Sequence, residues 1–445
     1  MTGPKKDTRG GGNDFSPARR KLLMSAGIGT AGVMAAAATC PAHAFADSAT
    51  AEGVVTAAPH SNTLFQMQPF YGQHQPGVVT PRPAAGLVVA FDVLAQSIDD
   101  LERMFKTLTE RTAFLMKGGE PPERDPKFPP SDSGILGPVV PPDNLTVTAS
   151  IGVSLFDQRF GLADFKPARL GQMTGFPNDA LEKDLCHGDL LLQFCSNTPD
   201  TNIHALRDII RTMPDLLMVR WKQEGSVPVR APDPGTPEES ARNYLGFRDG
   251  SANPDSTNPQ LMDRIVWVQP DSGEPQWATH GSYQVVRIIR NFVERWDRTP
   301  LQEQETIIGR RKASGAPFDG KTEADVPNYA GDPAGKATPM DAHIRLANPR
   351  DAASEANLLL RRPFNYSNGV SKSGQLEMGL LFIAYQADLD KGFIHVQTRL
   401  NGEPLEEYIK PIGGGYFFAL PGVRDESDYL ASALLTSARS AHARG

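Results

Sequence analysis

Cysteine is scarce in this sequence, with 3 residues among 445, and this scarcity excludes a fold held together by a framework of disulfide bonds. Cys186 and Cys195 lie nine positions apart in a run that is typical of a β-strand. An extended chain of that length spans about 30 Å, whereas the Cα atoms of a disulfide lie about 4.4–6.8 Å apart. We therefore predict that these two thiols are free and buried.

An excess of positive charge is also missing, because 45 lysines and arginines face 52 aspartates and glutamates, for a net charge of −7. This balance argues against a nucleic acid as the main partner. Beyond the first 45 residues no apolar run is long enough to span a bilayer, so stable membrane insertion is not expected. The chain is 39% hydrophobic and contains 41 glycines, as globular proteins do, which excludes disorder for most of its length.

The first 44 residues differ from the rest of the chain. Arg19 and Arg20 precede a weakly apolar stretch rich in glycine and alanine at 22–39, and the segment ends in a small-x-small pattern at 42–44. This arrangement resembles a twin-arginine signal peptide with its cleavage site. The sequence therefore predicts removal of residues 1–44 and export of an already folded protein to the periplasm or the exterior.

The remaining sequence predicts two similar halves. Residues 45–85 are polar and contain proline, as in an arm or linker, and a proline-rich connection at 228–237 separates the halves. Eight prolines between positions 121 and 142 predict a long surface loop in the first half. Strands are expected at 87–91, 147–155, 189–195, 216–221, 283–289 and 379–386. Helices are expected at 98–116, 202–213, 301–308 and 393–400.

The order of these elements indicates the fold class. The first half follows the rhythm strand–helix–strand–strand–helix–strand of a ferredoxin-like module, and the second half repeats part of it. The strand at 147–155 alternates between apolar and polar residues, which predicts one buried face. We therefore predict an α+β protein of two ferredoxin-like halves with antiparallel sheets, at 86–227 and 238–436.

Three short segments carry polar side chains suited to chemistry. They are Gly246-x-x-Asp249-Gly250, a loop rich in glycine and proline that leads to His343, and an apolar run that ends at Arg361. Each has an ordinary structural explanation on its own: a turn, one of 9 histidines, and the solvated end of a strand. Their order and spacing, 94 residues from Asp249 to His343 and 18 from His343 to Arg361, make them informative.

In that order the three segments resemble the dye-decolourising (DyP-type) peroxidases, which carry a GxxDG motif, a proximal haem histidine and a distal arginine. The similarity extends over most of the chain after the signal, and the spacing is similar to that of the exported deferrochelatase/peroxidase subgroup. The resemblance implies one haem b per chain, bound mainly by the C-terminal half, with His343 as the iron ligand. It implies that Asp249 and Arg361 are catalytic on the distal face: Asp249 moves the proton of hydrogen peroxide, and Arg361 stabilises the charge that develops.

Further contacts with haem follow from the same resemblance. Arg310 would bind a haem propionate, although surface ion pairs explain Arg310 and Arg350 about as well. The second ring nitrogen of His343 needs an acceptor, for which Asp388 is the candidate. The other residues expected to border the haem are Gly250, Ser251, Ala252 and Arg361 on the distal face and Asn348, Pro349 and Arg350 on the side of His343.

The leading hypothesis for function is a secreted haem b peroxidase that reduces hydrogen peroxide and oxidises dyes, phenols or other small one-electron donors. Because an aspartate has an unperturbed pKa near 3.9, such an enzyme is expected to work in acid. The alternative is a deferrochelatase that releases iron from haem with the porphyrin intact, as part of periplasmic ferrous iron uptake with partner proteins of that system. A haem carrier without turnover is a third hypothesis, against which Asp249 and Arg361 argue. A homodimer is expected.

Overall fold

The structure, a computed structural model, describes residues 63–228 and 239–442. The predicted signal peptide at 1–44, the first part of the arm at 45–62 and most of the connection at 228–237 lie outside these ranges. Within the two ranges, no helix combines the length and the apolar character that a bilayer crossing requires.

The strands pair into a single antiparallel sheet. In the described ranges they are β1 (Ala85–Val93), β2 (Thr146–Gly152), β3 (Leu190–Ser196), β4 (Leu217–Ser226), β5 (Ser282–Asn291), β6 (Leu360–Arg361), β7 (Phe364–Val370), β8 (Leu376–Gln386) and β9 (Ile409–Ala419). The α-helices there are α1 (Ile98–Lys117), α2 (Pro199–Thr212), α3 (Pro259–Ile265), α4 (Val293–Trp296), α5 (Leu301–Ile308), α6 (His343–Ala347), α7 (His395–Leu400) and α8 (Ser432–His442).

The N-terminal half has the strand order β4-β1-β3-β2, which is that of a ferredoxin-like module. The helix predicted at 98–116 is confirmed as α1, and Ser97 Oγ accepts a hydrogen bond from Asp100 N at 3.1 Å at its start. Strand β1 is buried on both faces. Leu87 and Val89 pack in the apolar cluster that contains α1 and α2, whereas Val88 packs in a second cluster with strands of the other half.

The C-terminal half repeats this order as β9-β5-β8-β7, with β6 and β7 lying end to end along one edge of β8. The two halves join at both edges. Residues 150–152 of β2 pair with 417–419 of β9, and Ser226 of β4 pairs with Asn365 of β7. The sheet therefore closes into a barrel, and the predicted α+β fold of two ferredoxin-like antiparallel halves is confirmed.

Strand β2 differs from its prediction in burial and length. The alternation indicated one buried face, but all of β2 is buried, and the chain leaves the strand at Gly152 for a 3-10 turn at Val153–Phe156. The polar residues of the alternation face the barrel interior, where they find partners: Thr148 Oγ1 donates to Pro76 O at 2.6 Å, and Ser150 Oγ donates to Gln284 Oε1 at 2.6 Å. The alternation of apolar and polar residues predicted the strand, but it could not predict that the C-terminal half of the chain covers its polar face.

Other boundaries also depart from the sequence prediction. Helix α2 begins at Pro199, three residues before the expected start, since proline suits the first helical position. Strands β7 and β9 were not predicted, because β7 contains Asn365 and Asn368 and β9 contains three consecutive glycines at 413–415, and both residue types are depleted in strands. The predicted free and buried thiols are confirmed.

The described part of the arm, residues 63–84, lies against the barrel. Gln75 is buried; its Nε2 donates to Ala149 O and to Leu420 O, each at 2.8 Å, and its Oε1 accepts from Ala149 N at 2.8 Å. One side chain of the arm therefore bonds to β2 and to the residue that follows β9. This anchor fixes the path of the arm toward Arg82.

Candidate functional site

A compact turn at the start of the C-terminal half holds Asp249. Asn243 N donates to Phe247 O at 2.9 Å, and Asn243 Oδ1 accepts from Phe247 N at 3.2 Å. Gly246 has a φ of +86°, and a Cβ at this position would lie 2.6 Å from Lys312 Cε. The backbone conformation therefore favours glycine here, and any other residue would also displace the end of the Lys312 side chain. The first glycine of the motif serves the turn, and the turn presents Asp249.

Arg361 lies on β6, where its pairing with Ala384 of β8 fixes its position on the barrel. Arg361 Nη1 donates to Asp249 Oδ1 at 2.6 Å. Asn253 ties the same two segments together, because its Nδ2 donates to Arg361 O and its Oδ1 accepts from Arg361 N, both at 2.9 Å. The Asp249 side chain is 11% exposed and that of Arg361 is 30% exposed. The fold thus brings together two residues that are 112 positions apart.

His343 is the first residue of α6, and its Nδ1 donates to Glu403 Oε2 at 2.7 Å. Glu403 is 4% exposed in its side chain, whereas 33% of the His343 side chain is exposed. The Nε2 atom of His343 has no hydrogen-bond partner among the described residues. Helix α5 ends at Gly309, where a Cβ would lie 2.7 Å from Ile344 Cγ1, so α5 supports α6 directly. One ring nitrogen is fixed, and the other is free to bind a ligand.

The prediction that Asp388 accepts the hydrogen bond of His343 is wrong. Asp388 Oδ2 lies 3.0 Å from Arg169 Nε, and its Oδ1 accepts from Lys391 N at 3.0 Å. Asp388 therefore pairs with an arginine of the other half and caps the turn that follows it. The acceptor is Glu403, 60 positions beyond His343, which the path of the chain after α7 brings to the ring.

The two ion pairs shift acidity in opposite directions. Burial raises the pKa of Asp249, but the charge and hydrogen bond of Arg361 outweigh burial, and the pKa lies below its ordinary value. Burial lowers the pKa of His343, but the charge and hydrogen bond of Glu403 outweigh it, and the pKa lies above its ordinary value. Asp249 is thus held ionised at neutral pH, and His343 is made more basic.

The second group of predicted residues lies near His343. Arg310 is buried, and its Nη1 donates to Gly315 O at 2.6 Å and to Glu323 O at 3.0 Å. Burial lowers the pKa of Arg310, and the charge of Arg350 lowers it further. Neither Arg310 nor Arg350 has an ion-pair partner among the described residues, so the alternative of surface ion pairs gains no support here.

Two buried polar atoms in this group lack a partner, Arg350 Nε and the hydroxyl of Tyr329. The backbone of Arg350 has a φ of +57°, a left-handed conformation that costs a non-glycine residue about 1 kcal/mol or more. Asn348 Oδ1 accepts from Arg350 N at 3.0 Å and holds this conformation. Guanidinium groups without a carboxylate and an unpartnered phenol indicate a missing anionic ligand.

The chemistry of haem fits this set of residues. Its two propionate carboxylates would suit the guanidinium groups of Arg310 and Arg350, which have no carboxylate partner among the described residues, and the unpartnered hydroxyl of Tyr329. An imidazole nitrogen is a common ligand of haem iron, and His343 Nε2 could supply one while Glu403 fixes the ring. The chemistry of these side chains therefore suits haem, with His343 toward the iron and Arg310, Arg350 and Tyr329 toward the propionates.

The remaining predicted residues lie where the turns place them. Gly250, Ser251 and Ala252 follow Asp249, and Ser251 Oγ donates to Glu323 Oε1 at 2.9 Å. Ala252 is exposed. Asn348 and Pro349 are half-buried between α6 and Arg350.

Three residues of the site were missed by sequence reasoning. Glu403 gives no local signal, because nothing in the sequence shows which acid follows α7 back to His343. Asn253 precedes a proline and was interpreted as part of a turn, although its amide binds the backbone of Arg361. Arg82 belongs to the arm, and its charge lowers the pKa of Asp249. Each depends on a contact between distant segments.

Two protein-family models match the chain. The model described as Dyp-type peroxidase, N-terminal, matches residues 75–226. The model described as Dyp-type peroxidase, C-terminal, matches residues 240–424.

Individual relatives agree with these models. The chain is 57% identical over 420 residues to a deferrochelatase of Escherichia coli strain K12, which covers 94% of this chain and 97% of the relative. Ferric DtpA from Streptomyces lividans has a TM-score of 0.76 and 33% identity and covers 85% of this chain and 100% of its own. A DyP-type peroxidase from Streptomyces coelicolor has a TM-score of 0.75 and 32% identity, with the same coverage of 85% and 100%.

Proposed function

Given that the chain belongs to the DyP-type peroxidase family and is a haem-dependent enzyme of this type, we propose that it is a deferrochelatase, which releases iron from haem and leaves the porphyrin intact. The observation that carries this proposal is the 57% identity over 94% of the chain to relatives that bear this name. The peroxidase expected from the sequence becomes the second candidate, and the pair formed by Asp249 and Arg361 favours it.

His343 and Glu403 would hold haem in either case. The neutral ring of His343 would bind the iron of haem through Nε2, while Nδ1 donates to Glu403 Oε2 at 2.7 Å and fixes the orientation of the ring. Arg310, Arg350 and the hydroxyl of Tyr329 would bind the propionates. We propose haem b, one per chain, as the group bound.

The release of iron requires two protons, because two of the four pyrrole nitrogens carry a hydrogen in the iron-free porphyrin and none does in haem. Asp249 would carry them, since it is the titratable carboxylate of the turn that we expect to face the ring. Arg361 donates to Asp249 Oδ1 and stabilises the ionised form, so each proton must be taken from solvent before it is delivered. Iron release therefore requires Asp249 in its protonated form.

The peroxidase reaction requires the opposite protonation state. Bound haem would supply the iron at which hydrogen peroxide is reduced. Ionised Asp249 takes the proton of peroxide and returns it to the departing oxygen, and Arg361 stabilises the negative charge on that oxygen. Small organic donors would return the electrons. Because the pKa of Asp249 lies below its ordinary value, this activity is expected to persist in acid.

The two candidates are separated by one pair of assays across a pH series. The protein is incubated with haem, with and without a reductant, and iron-free protoporphyrin is followed by its fluorescence. Free iron is reduced and then measured with a chelating dye, and oxidation of a phenol by hydrogen peroxide is followed in parallel. A deferrochelatase produces intact protoporphyrin with yield rising as pH falls through the pKa of Asp249. Turnover of the phenol without protoporphyrin, under both reducing and oxidising conditions, would leave only the peroxidase.

The cellular context is a further part of the proposal. The twin-arginine pattern at 19–20 supports export of the folded protein to the periplasm or the exterior, where proteins of ferrous iron uptake would be partners. Lysines in place of Arg19 and Arg20 should retain the protein in the cytoplasm in a fractionation experiment. A homodimer is expected by light scattering of the purified protein.

A further inference from the structure

A cavity of about 180 Å³ lies beside Asp249, between the arm and β6. The side chains that give it its charge and polarity are Arg82, Arg361, Arg362, Asp249, Asn253 and Ser256. Its wall does not include His343, Arg310 or Arg350, so it is distinct from the group proposed to hold the propionates. We refer to it as the arginine cavity.

The positive charges of the arginine cavity are not balanced by the chain. Arg361 pairs with Asp249, whereas Arg82 and Arg362 have no carboxylate partner among the described residues. Arg82 Nη1 donates to Pro363 O. Arg362 is 5% exposed; its Nη1 donates to Thr80 O and its Nη2 to Pro81 O. These carbonyl oxygens accept hydrogen bonds from the two guanidinium groups but do not neutralise the positive charges of Arg82 and Arg362.

One guanidinium nitrogen of the arginines that line the cavity is buried without a nitrogen or oxygen partner among the described residues. Arg362 Nε is shielded from solvent and forms no hydrogen bond. Such a group is rare in folded proteins, because an unpaired buried donor costs about 1–3 kcal/mol. An ionised group buried without a counter-charge costs still more. Loss of a proton or a bound anion would lower this cost.

Loss of a proton does not remove the charge. Burial lowers the pKa of Arg82 to about 10, which leaves its guanidinium protonated at neutral pH. The nearby thiol of Cys195 does not supply a negative charge, because burial raises its pKa despite the charges of Arg362 and Arg82. Asp249 remains the one carboxylate that lines the cavity.

We propose that the arginine cavity binds a small monovalent anion, of the size of a halide or formate, between Arg82 and Arg362. The cavity volume of about 180 Å³ is well above the ~10–15 Å³ that one water molecule needs on the same measure, so the cavity admits such an anion. Ser256 adds a hydroxyl to the wall. The anion joins the arm, which carries Arg82, to the segment that carries Arg361 and Arg362, so its binding stabilises the docked arm. The site requires neither haem nor the proposed reaction.

Bromide tests the position of the site. Crystals of the haem-loaded protein are grown in gluconate, a bulkier anion without an anomalous signal, and soaked in sodium bromide. We expect an anomalous peak within hydrogen-bonding distance of Arg82 and Arg362. Bromide peaks confined to the surface would overturn the proposal.

Chloride tests binding in solution. Melting temperatures of the haem-loaded protein are compared in sodium chloride and sodium gluconate at equal concentration, with a visible spectrum in each salt to show that the iron environment is unchanged. A ligand of the folded state at about 100 times its Kd should raise the Tm by roughly 3 °C. Arg82→Lys keeps the charge and should keep this rise. Arg82→Gln keeps a donor for Pro363 O and loses the charge, so the rise should disappear.

Arg264→Gln is the matched control, because Arg264 is 61% exposed on the surface and outside the cavity. It should show the rise of the natural sequence. An equal rise of the melting temperature in Arg82→Gln would contradict the proposal. A bromide peak in the crystal without a chloride effect in solution would indicate binding at crystal concentration only, and it would also contradict the proposal. Failure of the deferrochelatase assays leaves these results untouched, since none of them measures turnover.

Discussion

Asp249 and His343 each form a hydrogen-bonded pair with a residue that can carry the opposite charge, and the two pairs shift the pKa of their titrating members in opposite directions. On one side a carboxylate receives a guanidinium at 2.6 Å and becomes more acidic. On the other an imidazole receives a carboxylate at 2.7 Å and becomes more basic. The titrating member is the acid in the first pair and the base in the second. The comparison shows that the partner residue sets the direction of the pKa shift at Asp249 and at His343. Each variant below replaces one residue of the two pairs.

The largest effect is expected from His343→Ala, which removes the proposed iron ligand. We expect loss of the axial coordination of iron and of most bound haem, seen in the Soret band and in electron paramagnetic resonance spectra. His395→Ala is the matched control, because His395 is exposed at the start of α7. An unchanged spectrum of His343→Ala would show that another group binds the iron.

Asp249→Asn comes next, because it removes the proton carrier and retains the shape of the side chain. The rate at which hydrogen peroxide changes the Soret band should fall by about 10²–10⁴-fold, and the yield of protoporphyrin should fall with it. Asp263→Asn, at an exposed position on α3, should leave both unchanged. Equal rates in Asp249→Asn and the natural sequence would assign proton transfer to another residue.

Arg361→Leu tests the electrostatic half of the comparison. Without the guanidinium, the pKa of Asp249 should rise, since the charge and hydrogen bond of Arg361 hold it down against burial. Activity that needs ionised Asp249 should then be lost at a higher pH as the solution is acidified, and iron release should begin at a higher pH. The peroxide rate should also fall by about 10²–10³-fold. If activity is lost at the same pH on acidification in Arg361→Leu and in the natural sequence, this role of Arg361 is contradicted.

The smallest effect is expected from Glu403→Gln, which keeps a hydrogen-bond acceptor and removes the charge. The pKa of His343 should fall toward its ordinary value, and haem affinity should fall by about 10–100-fold. Asp388→Asn is the natural control, because Asp388 pairs with Arg169 instead. A larger loss in Asp388→Asn than in Glu403→Gln would reverse the assignment of the acceptor.

The sequence was informative where one short segment determines the outcome. The glycine of GxxDG is favoured by a local turn with a φ of +86° at Gly246, and α1 follows from its apolar spacing and the cap at Ser97. The ordered set of Asp249, His343 and Arg361 was recognisable for the same reason.

Sequence reasoning failed where a property depends on distant segments. Glu403 reaches His343 only because α7 packs near α6, with Arg399 Nη2 donating to Ala347 O at 2.8 Å. Strand β9 contains glycines at 413–415 and forms because β5 pairs along its length. Arg82 becomes part of the site through the path of the arm. Local propensity carries no information on such contacts.

The barrel is closed by two unequal seams. Three residues of β2 pair with β9, whereas β4 meets β7 through the single pair Ser226 and Asn365, supported by the reciprocal amide bonds of Gln223 and Asn368 at 3.1 and 3.2 Å. A closed sheet separates first where fewest hydrogen bonds must break, so amide hydrogens at the β4–β7 seam should exchange before those of β2 and β9. Because β6 lies end to end with β7 along β8, opening of this seam would loosen the segment that carries Arg361 while the β2–β9 seam stays paired.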